Sequence, residues 1–216
     1  MSGKYLGCQP QSLPGGVWKA LLEHAFTLVD EISRHGISQP FWTFGGGTVL
    51  MLRYHHRLSK DIDIFVPDPQ YLGYVSPRLS DVAEAVTHDY VEGPGYIKLL
   101  RPEGEIDFVA SPNLTAPAYE LWSLLGREVR VETAAEIVAK KLWHRGDHAT
   151  ARDLFDLSLV IEREPDSLRK AAAQSLTPSP PANAPTTFHH LLAGVAAVTS
   201  SVITLKPACH QDAADA

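Results

Sequence analysis

Apolar positions along this chain of 216 residues follow two rhythms, one helical and one alternating. Between residues 17 and 35, Val17, Leu21, Leu22, Ala25, Phe26, Val29 and Ile32 recur at helical spacing. Gly36 stands where a C-terminal cap belongs, so the pattern predicts an amphipathic helix that packs on the back of a sheet. The aromatic run at residues 41–44 predicts a short buried strand. Gly45, Gly46 and Gly47 then allow a sharp turn, and Thr48, Val49, Leu50, Met51 and Leu52 open a helix. Asp61-Ile62-Asp63-Ile64-Phe65-Val66 alternates with period two, which puts Asp61 and Asp63 on one face of a strand and Ile62 and Ile64 on the other. Residues 79–88 predict a helix with Val82, Ala83 and Val86 inside. Residues 95–100 and 105–109 predict a hairpin turning at Arg101-Pro102-Glu103-Gly104. A strand over 128–131 follows, then helices over 132–145, 152–162 and 166–176. Thr133 and Glu136 are spaced as a capping box for the first of these helices, and Leu154, Leu157, Val160 and Ile161 form the expected inner face of the second.

Residues 1–15, rich in Gly, Pro, Gln and Ser, read as a loose arm. The run T-P-S-P-P-A-N-A-P-T at 177–186 reads as a linker that proline keeps out of a helix. This divides the chain into an arm (1–15), a sheet domain (16–131), a helical region (132–176) and a linker with an atypical tail (177–216). The fold class expected is α/β (α+β), a small mixed sheet with a helical C-terminal part. Residues 188–205 are uncharged and long enough to raise a membrane question, but His189, His190 and several hydroxyl residues argue against insertion.

Composition narrows the partners. A net charge of −6 gives no bulk attraction to nucleic acid or anionic membrane, so a polynucleotide would have to meet a local basic patch. Cys8 and Cys209 lie near opposite ends, and the N-terminus lacks the apolar run of a signal peptide, so a cytoplasmic protein without structural disulfides is expected.

The chemistry concentrates between residues 41 and 66. A helix that starts on glycines offers free N–H groups and a partial positive charge, suited to phosphate. Two carboxylates on one strand face repel each other, and a cation between them relieves the repulsion. Between these halves, Arg57 and Lys60 can offset the aspartate charge or touch a triphosphate, whereas the adjacent His55 and His56 point apart on a helix and suit a shared metal poorly. A glycine triplet alone marks a turn, and D-x-D alone marks a solvated strand edge. Strand, Gly-Gly-Thr, helix and D-x-D strand together are more specific. They resemble the polymerase β-like nucleotidyltransferases, and G-G-T-V-L followed by R-L-S-K-D-I-D-I-F is closer still to the AbiEii/AbiGii toxin branch. E-I-V-A-K-K-L followed by R-D-L-F-D-L, at residues 136–142 and 152–157, resembles a second block of the same family, so the likeness spans roughly residues 40–165.

The resemblance implies a catalytic set of Asp61, Asp63, Asp107 and Lys141, with Asp107, on the second hairpin strand, as the third carboxylate. It implies two Mg²⁺ ions held by Asp61, Asp63 and Asp107, and an NTP cradled by Gly46, Gly47 and Thr48. Arg57, Ser59, Lys60, Lys141, Asp153 and Asp156 complete the nucleotide set, and Lys140 is expected to point away from it. The implied reaction moves a nucleoside monophosphate onto an acceptor such as tRNA, another RNA or a protein, in the toxin half of a toxin–antitoxin pair. Other classes are a transferase of another kind using its D-x-D, such as a glycosyltransferase; a small-molecule, antibiotic-type nucleotidyltransferase; and a catalytically inert module of the same fold. From spacing alone, Lys141 and Arg152 also suit surface ion pairs with neighbouring acids.

Overall fold

The computed structural model describes residue 10, residues 12–175, and residues 190, 193–195 and 197. The expected linker, most of the tail and most of the N-terminal arm lie outside the described residues. The chain forms two compact units that divide between Ile137 and Val138. That division falls within a helix, six residues later than the change from sheet domain to helical region predicted from sequence.

In the N-terminal unit, α1 (Trp18–Arg34), β1 (Thr43–Gly45), α2 (Gly46–Tyr54) and β2 (Ile62–Val66) come first. They are followed by α3 (Tyr71–Tyr74), α4 (Asp81–Val86), β3 (Tyr90–Gly93), β4 (Tyr96–Arg101), β5 (Gly104–Ala110), β6 (Tyr119–Leu124) and β7 (Arg127–Glu132). The seven strands form one mixed sheet in the order β3-β4-β5-β2-β1-β7-β6. β2 pairs with β5, and β1 with β7, in parallel; the other neighbours are antiparallel.

Alternation along the strands separates the two faces. Ile62, Ile64, Ile97, Leu99, Ile106, Phe108, Val129 and Val131 are buried, and α1, with Leu21, Leu22, Ala25 and Leu28 inward, lies against β2 and β5. Asp63, Asp107 and Lys98 occupy the intervening positions and face the other way. Helix α2 ends where His55 adopts φ 53°. Arg53, in its last turn, stacks 4.7 Å from the centre of the Trp122 ring and donates to Glu120 (3.0 Å) and to the Glu132 carbonyl (2.6 Å). Arg53 is thus a clamp between α2 and the β6–β7 edge.

Several expectations need correcting. Val17 precedes α1 and is exposed, because the helix starts one residue later. Helix α3 and strands β3 and β6 were not expected. The capping box at the next helix, α5 (Ala134–Arg145), is only half made. Thr133 Oγ1 accepts from the Glu136 amide at 3.2 Å, but the Glu136 carboxylate turns to the preceding loop. There it accepts from the Leu114 amide (2.9 Å), the Thr115 amide (2.8 Å) and the Thr115 hydroxyl (2.7 Å).

Glu136 is fully buried, so its acceptor capacity matters. Glu136→Gln, which sets amide hydrogens against these donors, is expected to cost about 2–3 kcal/mol in urea unfolding. A change below about 0.5 kcal/mol, the ordinary range for surface substitutions, would show that the loop does not depend on this carboxylate.

The C-terminal unit contains most of α5, together with α6 (Ala151–Arg163) and α7 (Pro165–Ser175). Helix α6 carries a complete capping box: Thr150 accepts from the Asp153 amide, and Asp153 accepts from the Thr150 amide. Val160 faces inward as expected, but Leu154 is 56% exposed, because the α6 face buried in this unit is the one bearing Asp153, Asp156 and Val160. Among the described residues, no helix is long and apolar enough to cross a membrane.

Candidate functional site

Gly46, at the start of α2, adopts φ +71°, and a Cβ placed there would overlap the Asp63 carboxylate. The absence of a side chain therefore lets the aspartate sit against the turn. Gly45 lies against Glu132 in the same way, and Gly47 against the Arg57 guanidinium and Ser59 Oγ. Thr48 Oγ1 donates to the Asp61 carbonyl and lies 3.0 Å from Ser59 Oγ. The glycine turn, Thr48, Arg57, Ser59 and the D-x-D are thus brought together around the N-terminus of α2. Lys60 is exposed.

This packing gives a direct test. Gly46→Ala combines a left-handed backbone penalty with displacement of Asp63, whereas Gly36→Ala imposes the same kind of backbone (φ +87°) with open space at its Cβ. The Gly36 variant is expected to lose about 1 kcal/mol and the Gly46 variant about 2–3 kcal/mol more, read by thermal melts. Equal losses would refute the close approach of Asp63 to the turn.

Asp63 and Asp107 are register partners on adjacent parallel strands, so both carboxylates leave the same face of the sheet. Asp61, one residue before β2, accepts from the Glu105 amide at 3.3 Å. Lys98, opposite Asp107 on β4, was not expected at the site; its ammonium donates to Asp107 Oδ2 at 2.9 Å and to Glu105. Burial pushes the Asp107 carboxyl above the usual carboxylate range, with Lys98 opposing the shift and the charges of Glu105 and Asp61 adding to it. For Lys98, burial favours the neutral amine, but bonds to Glu105 and Asp107 outweigh it and hold the ammonium above its ordinary range.

Glu132, fully buried, accepts from Thr43 Oγ1 at 2.7 Å beneath Gly45 and was also not expected. At the end of β7, a strand that already carries Arg127, Glu128 and Arg130, a further charged residue gives no sequence signal for this role.

The donor set fits a hard divalent cation. It consists of carboxylate oxygens, and Asp107 Oδ1 is buried without a hydrogen-bond partner among the described residues. As placed, however, no three acidic, histidine or cysteine side chains among the described residues come close enough to hold a metal ion.

In the C-terminal unit, Lys141 donates to Asp153 at 2.6 Å and pairs with Asp156 at 3.0 Å; Arg145 lies 3.4 Å from Asp153. Asp156 is fully buried; Lys141, with 12% of its side chain exposed, lines a small apolar recess with Val138, Leu142 and Leu157. Burial alone would raise the Asp153 carboxyl, but Lys141 and Thr150 outweigh it and bring it down to about 2. Lys140, expected to point away from the nucleotide set, is only 2% exposed, so a substitution there disturbs buried structure. Burial, with Lys140 and Arg145 nearby, depresses His144 below the usual histidine range.

Comparison with known proteins bears on this arrangement. No match was found among curated proteins. A solved structure, an antigenic nucleotidyltransferase-like protein from Paracoccidioides brasiliensis, is similar at a TM-score of 0.43 and 15% identity, over 87% of this chain and 94% of that one. The sequence profile described as "Nucleotidyl transferase AbiEii toxin, Type IV TA system" matches residues 28–180, which include the glycine turn, Asp61, Asp63 and Asp107, and the Lys141–Asp153–Asp156 group. The chain belongs to the AbiEii nucleotidyltransferase toxin family.

Proposed function

We propose that the protein transfers a nucleoside monophosphate from an NTP to an acceptor hydroxyl, with RNA, and tRNA in particular, as the acceptor class to test first. The observation that carries this reading is the contact between the Gly46 turn and Asp63, with Asp107 in register on the next strand. It sets an N–H-rich helix start, where phosphate oxygens can be received, beside two carboxylates of one sheet face.

In the proposed reaction the acceptor oxygen bonds to the α-phosphorus and the α–β phosphoanhydride bond breaks. Pyrophosphate leaves with the bonding pair, and the acceptor's proton passes to solvent. Gly46, Gly47 and Thr48 would receive phosphate oxygens, and Arg57 and Lys60 would oppose their charge. Ser59, 3.0 Å from Thr48, would help to fix that hydroxyl. Asp61, Asp63 and Asp107 would hold two Mg²⁺ ions. Bound there, the ions would supply positive charge to the attacking and leaving oxygens. The family likeness gives Lys141, Asp153 and Asp156 a part in nucleotide recognition, which removal of all three charges would test. A toxin of this kind would be held in check by a cognate antitoxin.

The test is incubation with each α-labelled NTP, Mg²⁺ and total RNA. Label in RNA with one preferred NTP, abolished by EDTA, is expected. Absence of label in RNA, in protein and in small molecules with every NTP would overturn the reading.

A further inference from the structure

We propose that Lys98 is a built-in counter-cation of the sheet face, which keeps a divalent ion off Asp107 until the phosphates of a nucleotide arrive to help bind it. The inference rests on the metal-dependent transfer proposed above, but concerns a residue to which that reading gives no part.

Lys98 and Asp107 are register partners on antiparallel strands, and Glu105 lies on the same strand and the same face as Asp107. The ammonium reaches both carboxylates, 2.9 Å from Asp107 Oδ2. One oxygen of Asp107 is therefore taken, while Oδ1 is buried and makes no hydrogen bond among the described residues. That is the geometry of a carboxylate held in one orientation with one lone-pair face in reserve. Asp61, Asp63, Asp107 and Glu105 bring four negative charges to this region, and Lys98 is the cation bonded to two of them.

A divalent ion on Asp107 Oδ1 would meet an ammonium on the neighbouring oxygen of the same carboxylate. In the free protein this repulsion weakens binding there. Phosphate oxygens, which Mg²⁺ favours as ligands, would offset it once a nucleotide is bound.

The experiment is Mn²⁺ titration of the full chain without nucleotide, with free Mn²⁺ read by its electron paramagnetic resonance signal. Lys98→Met is expected to bind Mn²⁺ about tenfold or more tighter than wild type, given the size of a close charge–charge repulsion near a protein surface. Lys98→Arg, which keeps the charge, should stay near wild type, and Asp107→Asn added to Lys98→Met should abolish the gain. Lys19→Met, removing an exposed charge on α1, should change nothing. Should Lys98→Met fail to fold, Lys98→Gln keeps a donor to the carboxylates without the charge and should show the same gain. Unchanged or weaker Mn²⁺ binding in the folded neutral variants, or an equal gain in Lys19→Met, would overturn the proposal. Because no nucleotide or acceptor is present, failure of the transfer reading would appear separately, as absent labelling with the Mn²⁺ pattern intact.

Discussion

Asp63→Asn is expected to reduce nucleotidyl transfer by at least about a thousandfold while the protein stays folded. The size follows from removing a carboxylate proposed to hold the metal ions, a contribution of several kcal/mol at about 1.36 kcal/mol per tenfold. The fold should survive because Asn has nearly the shape of Asp and still fits beneath Gly46, where the absence of a Cβ makes the room. It should even gain slightly, since Asp63 and Asp107 are direct cross-strand partners and like charges so placed destabilise a sheet. A thermal melt and a labelled-NTP assay on one preparation check both halves. Wild-type transfer with Mg²⁺ present would sink the assignment of Asp63. A melting temperature many degrees lower would mean that Asp63 holds the fold, and loss of transfer would then say nothing about chemistry.

Much of this site was legible because its elements are local. Period-two alternation placed β2, the glycine triplet placed its turn, and the two halves of the D-x-D motif needed only one strand to be set side by side. The hairpin turn at 101–104 was read correctly, and Leu100↔Glu105 pairing fixes Lys98 opposite Asp107. The signal for Lys98 is therefore in the sequence, two residues before Leu100 along the register that the turn sets. Glu136 misled for a different reason. Its spacing from Thr133 suits a capping box, but the loop at 114–115 offers three donors against one, and tertiary contact outweighed the local motif. β6 went unread because Y-E-L-W-S-L only half alternates and becomes a strand through pairing with β7. The burial of Lys140 could not be read. Helical spacing groups Lys141 with Ile137, Val138 and Leu142, at the edge of the inner face, and turns Lys140 elsewhere; only the packing of the unit shows Lys140 to be covered as well.

Lys141→Ala is expected to destabilise the C-terminal helical unit by about 3–5 kcal/mol, several times the loss a surface ion pair would give. The ammonium is shared by Asp153 and Asp156, and its loss takes a close cationic partner from two buried carboxylates, leaving Arg145 at 3.4 Å from Asp153. The acid limb of stability should reveal the same group. Asp153 is held at about 2 against an ordinary 3.8, a depressed carboxylate, so its contribution is present above about pH 4 and is lost as pH falls through about 2. By linkage this is on the order of 2 kcal/mol, and it should be much reduced in Lys141→Ala. Because alanine confounds stability with recognition, activity in that variant alone decides nothing, and Lys140, itself buried, is no control. The decisive variant joins Lys141→Met to Asp153→Asn and Asp156→Asn. It removes all three charges together, a change that buried ion groups often tolerate, and Asp153→Asn retains a side-chain oxygen for the Thr150 cap. If the group contributes to nucleotide recognition, this folded triple variant should bind NTP at least about tenfold more weakly in calorimetry, the loss of one charge-assisted contact. Undiminished NTP affinity in the triple variant would show that Lys141, Asp153 and Asp156 serve to hold α5 to α6, and would remove them from the nucleotide site.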